Sequence, residues 1–287
     1  MSNVTAPHEH HVTVAPDVTL RTLVHHGHHA TPFLLVHGLA SNARLWDGTA
    51  AALAAKGHTV VAVDQRGHGL SSKPDHGYDF PTLVADLLSL IDQLSLHRPV
   101  VVGQSWGGNV VVELGATAPD RVRGVVAVDG GFIELGSRFA TWDDCCAALT
   151  PPRLVGTPAA TMEQRMRAFH PHWPENGIRG ALANFEVRAD GTIAPWLTLE
   201  RHLMILRSLF DHRPSEVFPR LEVPVLLVPA DTGDVAWTHD KRDAVAAALA
   251  LLPRGESHWF SPADHDIHAQ YPVELADLLS RWEPVHR

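Results

Sequence analysis

Ser105 stands in Gly103-Gln-Ser105-Trp-Gly107-Gly108, directly after the apolar run Pro99-Val-Val-Val102 and before a helical stretch, 106–118. A strand that must turn at once into a helix forces its turn residue into a strained backbone. Glycines two residues to either side relieve the resulting clashes. The hydroxyl is then presented at the carboxyl end of a strand, beside a helix N-terminus, where the N–H of Trp106 can stabilise a developing oxyanion. The chemistry this suits is nucleophilic acyl transfer, which needs a general base and a group to orient it. Bases are plentiful: the chain has 21 histidines against 23 Lys plus Arg.

Composition narrows the setting. The chain has 287 residues, 45% hydrophobic and 19% charged, as expected for a globular protein. A net charge of −9 argues against a nucleic-acid partner, which calls for a basic surface. No apolar run is long enough for a membrane span. Met1 to Val12 is polar and lacks the apolar core of a signal peptide, so the Asn3-Val-Thr5 glycosylation pattern carries no weight. The two cysteines, Cys145 and Cys146, are adjacent, which rules out a disulfide framework and makes a reducing cytoplasm the expected location.

The elements that must hold Ser105 alternate. A hairpin is expected over 11–15 and 19–24, turning at Pro16-Asp17. Short apolar strands follow at 32–36, 59–63, 99–102, 123–128 and 224–228, with a short last strand at 258–260. Helical spacing falls between them at 44–56, 80–96, 106–118 and 240–252, and a final helix at 272–282. In the second of these, Leu83, Leu87, Leu90, Ile91 and Leu94 make one apolar face. Strands alternating with helices predict an α/β class with a mostly parallel central sheet flanked by helices. The alternation breaks between Phe132 and Phe218, where helices are expected at 141–149, 159–169, 178–188 and 199–210. The expected organisation is a core of 1–131 and 219–287 interrupted by a helical insertion, 132–218.

Four blocks in order make the chain resemble the α/β-hydrolase superfamily, in its cap-bearing branch of esterase-, lactonase- and epoxide-hydrolase-like sequences. They are His37-Gly38-Leu39, Asp64-Gln-Arg-Gly67-His-Gly69-Leu-Ser71, the turn at Ser105, and Ala263-Asp264-His265 before Pro272. The resemblance implies an α/β-hydrolase fold with the insertion as a helical cap. It also implies that the backbone N–H of Leu39 joins that of Trp106 in the oxyanion hole, with His37 organising the loop. Among His258, His265 and His268, it favours His265 as the base, although Asp264 stands where the family usually has glycine.

For the acid the resemblance points first to Asp234, ten residues after Pro224. Gly233 occupies the more usual slot, so Asp231 and Asp129 remain alternatives. All three keep the chain order serine, acid, histidine.

The implied enzyme is a serine hydrolase, without cofactor or metal, cleaving a carboxylic ester or lactone through an acyl-enzyme on Ser105. Dehalogenases and epoxide hydrolases of this pattern carry aspartate at the elbow, so Ser105 argues against both. Trp142, Met162, Met166, Trp196 and Met204 of the insertion are candidate pocket residues and favour a moderately hydrophobic small molecule. The alternatives are C–C bond hydrolysis or perhydrolysis at the same site, and a non-catalytic small-molecule receptor. His25, His26, His28 and His29 are read as a solvated loop rather than a metal site.

Overall fold

The computed structural model describes residues 6–29 and 31–282, with the side chains of 235–237 excepted. The Asn3-Val-Thr5 pattern lies outside the described residues. The first hairpin pairs β1 (His8–Ala15) with β2 (Val18–His25). The following strands are short, apolar and buried on both faces, as parallel strands covered by helices must be: β3 (Phe33–Val36), β4 (Val60–Val63), β5 (Val100–Gln104), β6 (Gly124–Val128). Between them run α1 (Asp47–Ala55), α2 (Phe80–Gln93) and α3 (Trp106–Thr117).

After β6 come α4 (Leu135–Arg138), α5 (Trp142–Leu149), α6 (Ala159–Phe169), α7 (Glu175–Leu182), β7 (Phe185–Val187), β8 (Ile193–Pro195), α8 (Leu199–Asp211) and α9 (Pro214–Val217). The chain then returns to the sheet with β9 (Val225–Val228), α10 (Val235–Leu251), β10 (Gly255–Ser257), α11 (Ile267–Gln270) and α12 (Pro272–Arg281).

Eight strands form one sheet in the order β1-β2-β4-β3-β5-β6-β9-β10. Only β2 runs against its neighbours; the others are parallel. The alternation of side chains along each strand divides the core. Leu34, Val36 and Val101 pack with the apolar face of α2 and with α3, together with Val245 and Ala248 of α10. Phe33, Leu35, Val100 and Val102 face the other way, onto Leu53 of α1 and Leu275 and Leu279 of α12.

Two local expectations change. The last strand lies at Gly255–Ser257 rather than 258–260. His258 only extends its ladder, through an N–H bond to the Leu227 carbonyl (2.9 Å), and Phe260 makes a single bridge with Ala230. The helix expected over 178–188 ends at Leu182, and Phe185–Val187 pairs instead with Ile193–Pro195. The cause is the Asp190-Gly191 turn: Gly191 has φ +78°, and the Asp190 carboxylate accepts the Thr192 N–H at 2.9 Å.

Side-chain bonds tie the stretch between β6 and β9 to the elements that precede it. Asn42 donates to the Gly180 carbonyl of α7 (2.9 Å). His212, just after α8, stacks on Phe80 and bonds Glu113 of α3 through Nε2 (2.9 Å). Asn109, in the first turns of α3, joins His212 Nδ1 (3.1 Å) to the carbonyl of Ile133 (2.8 Å).

Candidate active site

Ser105 has φ +52°, a left-handed backbone that a serine rarely adopts and that the surrounding packing must hold in place. Parallel register supplies that packing. The Ser105 N–H bonds the Val128 carbonyl (2.9 Å), and the Asp129 N–H bonds the Val228 carbonyl (2.9 Å), so both residues continue the sheet's ladder past the ends of β5 and β6. The turn is too tight for side chains at its flanks. A Cβ on Gly103 would strike the Gly107 carbonyl, and one on Gly107 the His37 carbonyl, which is why glycine stands two residues to either side of the serine.

Trp106 opens α3, so its N–H is among those a helix leaves without an internal partner. Its indole is fully buried and stacks on His68, with centroids 5.5 Å apart.

The His37-Gly38-Leu39 loop lies against this turn, close enough that a Cβ on Gly38 would reach Ser105 Cβ at 3.0 Å. His37 organises the loop as a neutral ring. Its Nε2 accepts the Gln65 N–H (3.0 Å), which leaves Nδ1–H to donate to the Gly38 carbonyl (2.7 Å). Gln65 also donates to the His37 carbonyl (2.8 Å). His68 repeats the pattern, Nε2 accepting from Ala40 N–H (3.3 Å) and Nδ1–H donating to the Arg66 carbonyl (3.0 Å). Burial lowers the pKa of both rings, that of His68 strongly, and keeps them uncharged. Arg66 is held by Asp86 in a bidentate buried pair (2.6 and 2.7 Å).

His265 comes to this site on the loop before α11. Gln104, the residue before the serine, donates to the His265 carbonyl (3.3 Å). His265 Nδ1 donates to Asp129 Oδ2 at 2.6 Å. The ring is about half exposed, 51%, whereas the Asp129 carboxylate is 3% exposed. Crowding by protein disfavours the imidazolium, but the hydrogen bond to Asp129 and the charges of Asp266 and Asp129 outweigh it, so the net shift is upward. Burial pushes Asp129 up in turn, but its bonds to His265, Lys241 and the Ala230 N–H overcome this and lower it.

The acid expectation is corrected here. Asp234, ranked first from the sequence, lies on the exposed turn that opens α10, and its carbonyl accepts the Thr238 N–H (2.9 Å). Asp231 spends its carboxylate on the Gly233 N–H (3.0 Å) and the Thr238 hydroxyl (2.9 Å), with Ser261 at 3.2 Å. Asp129 holds the position beside His265. The physical reason is register: Asp129 follows β6 one strand from Ser105, while the segment after β9 turns away into α10. The Asp129-Gly130-Gly131 sequence at a strand end was the available signal.

Lys241 of α10 belongs to no sequence motif, yet it lies against Asp129. Its ammonium bonds Asp129 Oδ1 (2.8 Å), Asp129 Oδ2 (3.0 Å) and the Ala230 carbonyl (2.7 Å).

Neither rival for the place of His265 reaches Asp129. His258 is exposed. His268 is fully buried, in tilted contact with Trp46 (centroids 4.2 Å apart) with both ring nitrogens unpartnered, and burial pushes its pKa down to about 3. His26, His28 and His29 are exposed, with His28 and His29 in edge contact, but His25, expected on the same solvated loop, is instead buried as the last residue of β2.

The five candidate pocket residues scatter. Met162 is buried in α6, and Met166 packs against the cluster of Leu45, Trp173 and Ile178. Trp142 packs on Phe210 (5.8 Å), and Trp196 lies under Lys73 (5.1 Å). Met204 lines a surface groove of about 570 Å³ with Tyr78, Phe80 and Arg207, and neither Ser105 nor His265 borders that groove. Cys145 and Cys146 are free thiols. Among the described residues no helix is long and apolar enough to cross a membrane, and no His, Cys, Asp and Glu group could hold a metal ion.

A mostly parallel sheet, a strained serine between a central strand and its helix, and a histidine–carboxylate pair at the same sheet end define a hydrolase-type α/β scaffold. Residues 31–228 match the family model described as alpha/beta hydrolase fold, and the chain belongs to that family. It is 36% identical over 225 residues to the 2-(acetamidomethylene)succinate hydrolase of Mesorhizobium japonicum, covering 77% of this chain and 75% of the relative. It is 26% identical over 256 residues to the esterase YbfF of Escherichia coli, covering 89% and 94%. Among solved structures, E-2-(acetamidomethylene)succinate hydrolase superposes with a TM-score of 0.76 at 24% identity, over 96% of this chain and 98% of that one. The thioesterase domain from the curacin biosynthetic pathway gives 0.78 at 20% identity, over 96% and 100%. These two likenesses concern the fold.

Proposed function

We propose that the protein is a serine hydrolase that cleaves a carboxylic ester or lactone of a moderately hydrophobic small molecule. The observation that carries this reading is the 2.6 Å bond from His265 Nδ1 to Asp129, beside the strained Ser105. That bond fixes the tautomer: with the proton on Nδ1, the lone pair on Nε2 is free to act as base. His265 takes the Ser105 proton as Oγ attacks the substrate carbonyl. The oxyanion accepts from the N–H groups of Leu39 and Trp106, and each such donor contributes about 3 kcal/mol to the transition state. Collapse expels the alcohol, which takes the proton from His265. Water, activated by the same ring, then releases the acid and frees Ser105.

In this reading residues 132–218 form the cap, no cofactor or metal takes part, and the cytoplasm is the working compartment. The partner is the small-molecule substrate, not nucleic acid or membrane. Kinship with an esterase and with a second hydrolase supports the reaction class. The test is a panel of p-nitrophenyl esters and lactones, with diketones and peroxide as competing chemistries, run on wild type and Ser105→Ala. Ester or lactone turnover lost in Ser105→Ala is the expected result. Preferred turnover of a diketone or of peroxide would move the reading to C–C hydrolysis or perhydrolysis, and ligand-dependent stabilisation without turnover would make the protein a receptor.

A further inference from the structure

The Asp129 carboxylate has more partners than orienting a histidine requires. Oδ1 accepts the Ala230 N–H (2.9 Å) and Lys241 Nζ (2.8 Å), while Oδ2 accepts His265 Nδ1 (2.6 Å) and Lys241 Nζ (3.0 Å). The lysine side chain is 9% exposed, and its ammonium lies against three acceptors, Asp129 Oδ1 and Oδ2 and the Ala230 carbonyl (2.7 Å). It reaches the site from α10, so the ends of β6 and β9 are clamped together by one ammonium group.

We propose that Lys241 is a positioning residue of this site: it aims the Asp129 carboxylate at His265 and, by sharing that carboxylate, limits how tightly His265 holds a proton. This rests on the reading of Ser105, His265 and Asp129 as one acyl-transfer site. A buried carboxylate bonded to a lone imidazole favours the imidazolium, and a base that is already protonated cannot accept the serine proton. A second cation on the same carboxylate repels the imidazolium and lowers the pH at which the base becomes available. It also fixes the rotation of the carboxylate, leaving Oδ2 in line with Nδ1.

Among the described residues, the charged and titratable groups around His265 are few. Asp264 and Asp266 flank it on its own loop, Asp129 and Lys241 reach it from β6 and α10, and His170, His37 and buried His268 complete the surroundings. Asp266 and Asp129 raise the pKa of His265, and Lys241 is the cation that opposes them.

The experiment is the pH dependence of fluorophosphonate labelling at Ser105, and of kcat/KM for p-nitrophenyl acetate, in wild type, Lys241→Gln and Lys241→Arg. Glutamine keeps a hydrogen-bond donor and removes the charge; arginine keeps the charge. The acid limb of both profiles should move up by about one pH unit in Lys241→Gln and stay at the wild-type position in Lys241→Arg. An unmoved limb in Lys241→Gln overturns the proposal, as does a limb displaced equally in both variants. If Lys241→Gln does not fold, Lys241→Arg decides: a wild-type limb supports the role of charge, and a displaced limb overturns it. Wild-type protein that takes no label at any pH would instead defeat the underlying acyl-transfer reading, before any variant is compared.

Discussion

His265 Nδ1 and Asp129 Oδ2 lie 2.6 Å apart, which joins the loop before α11 to the residue that follows β6. Asp129 therefore sits one strand from Ser105, between β6 and the β9 end that supplies the Ala230 N–H. Three hydrogen bonds and an ion pair to Lys241 hold this carboxylate, so it has one orientation, and the histidine has one tautomer.

Asp129→Asn should lower kcat by about 10³–10⁴, because an asparagine at Nδ1 stabilises the wrong tautomer. Asp234→Asn, on the exposed turn before α10, should leave kcat within about twofold of wild type, as surface substitutions away from a site usually do. Steady-state kinetics on one ester decide between them. A large loss in Asp234→Asn with Asp129→Asn near wild type would return the acid to the segment after β9.

The pH–rate profile should show its acid limb above 6.5, the ordinary histidine value, because Asp129 and Asp266 raise the pKa of His265. The sign follows from the base: activity needs the neutral ring and is lost as pH falls through the raised pKa. The same shift makes a stability contribution of the opposite sense. A pKa raised by folding stabilises below the unfolded value of 6.5, and that stabilisation is lost as pH rises through the folded one. An acid limb below 6.5 would contradict this account of the pair.

His268 should govern part of the acid sensitivity of the fold. Its pKa of about 3 lies below the unfolded 6.5, so its contribution is present above 6.5 and lost as pH falls toward 3. His268→Phe keeps a ring against Trp46 and removes two nitrogens that have no partner. The variant should recover about 1–2 kcal/mol of the stability lost between pH 7 and pH 5. Urea melts at the two pH values measure it, and an equal loss in both proteins would rule this residue out.

Ser105 was legible from sequence because its constraint is local: a valine strand, a helix, and glycines two residues to either side leave one backbone solution. The sheet was legible for a related reason, since strands buried on both faces read as unbroken apolar runs. Asp129 was harder to rank, since both it and Asp234 follow apolar strands, and only strand order shows which end faces His265. Lys241 gave no signal, because its role depends on how α10 lies across the ends of β6 and β9. The β7–β8 hairpin was hidden by helical spacing in 178–188, which the Asp190-Gly191 turn overrides.

Trapping the acyl-enzyme tests the central claim most directly. Mixing the protein with excess p-nitrophenyl acetate, quenching in acid and analysing peptides by mass spectrometry should place one acetyl group on Ser105. Ser105→Ala should carry no such group and show no burst of p-nitrophenol. Turnover that persists in Ser105→Ala, or an acetyl group borne by another residue at the rate of turnover, would contradict it.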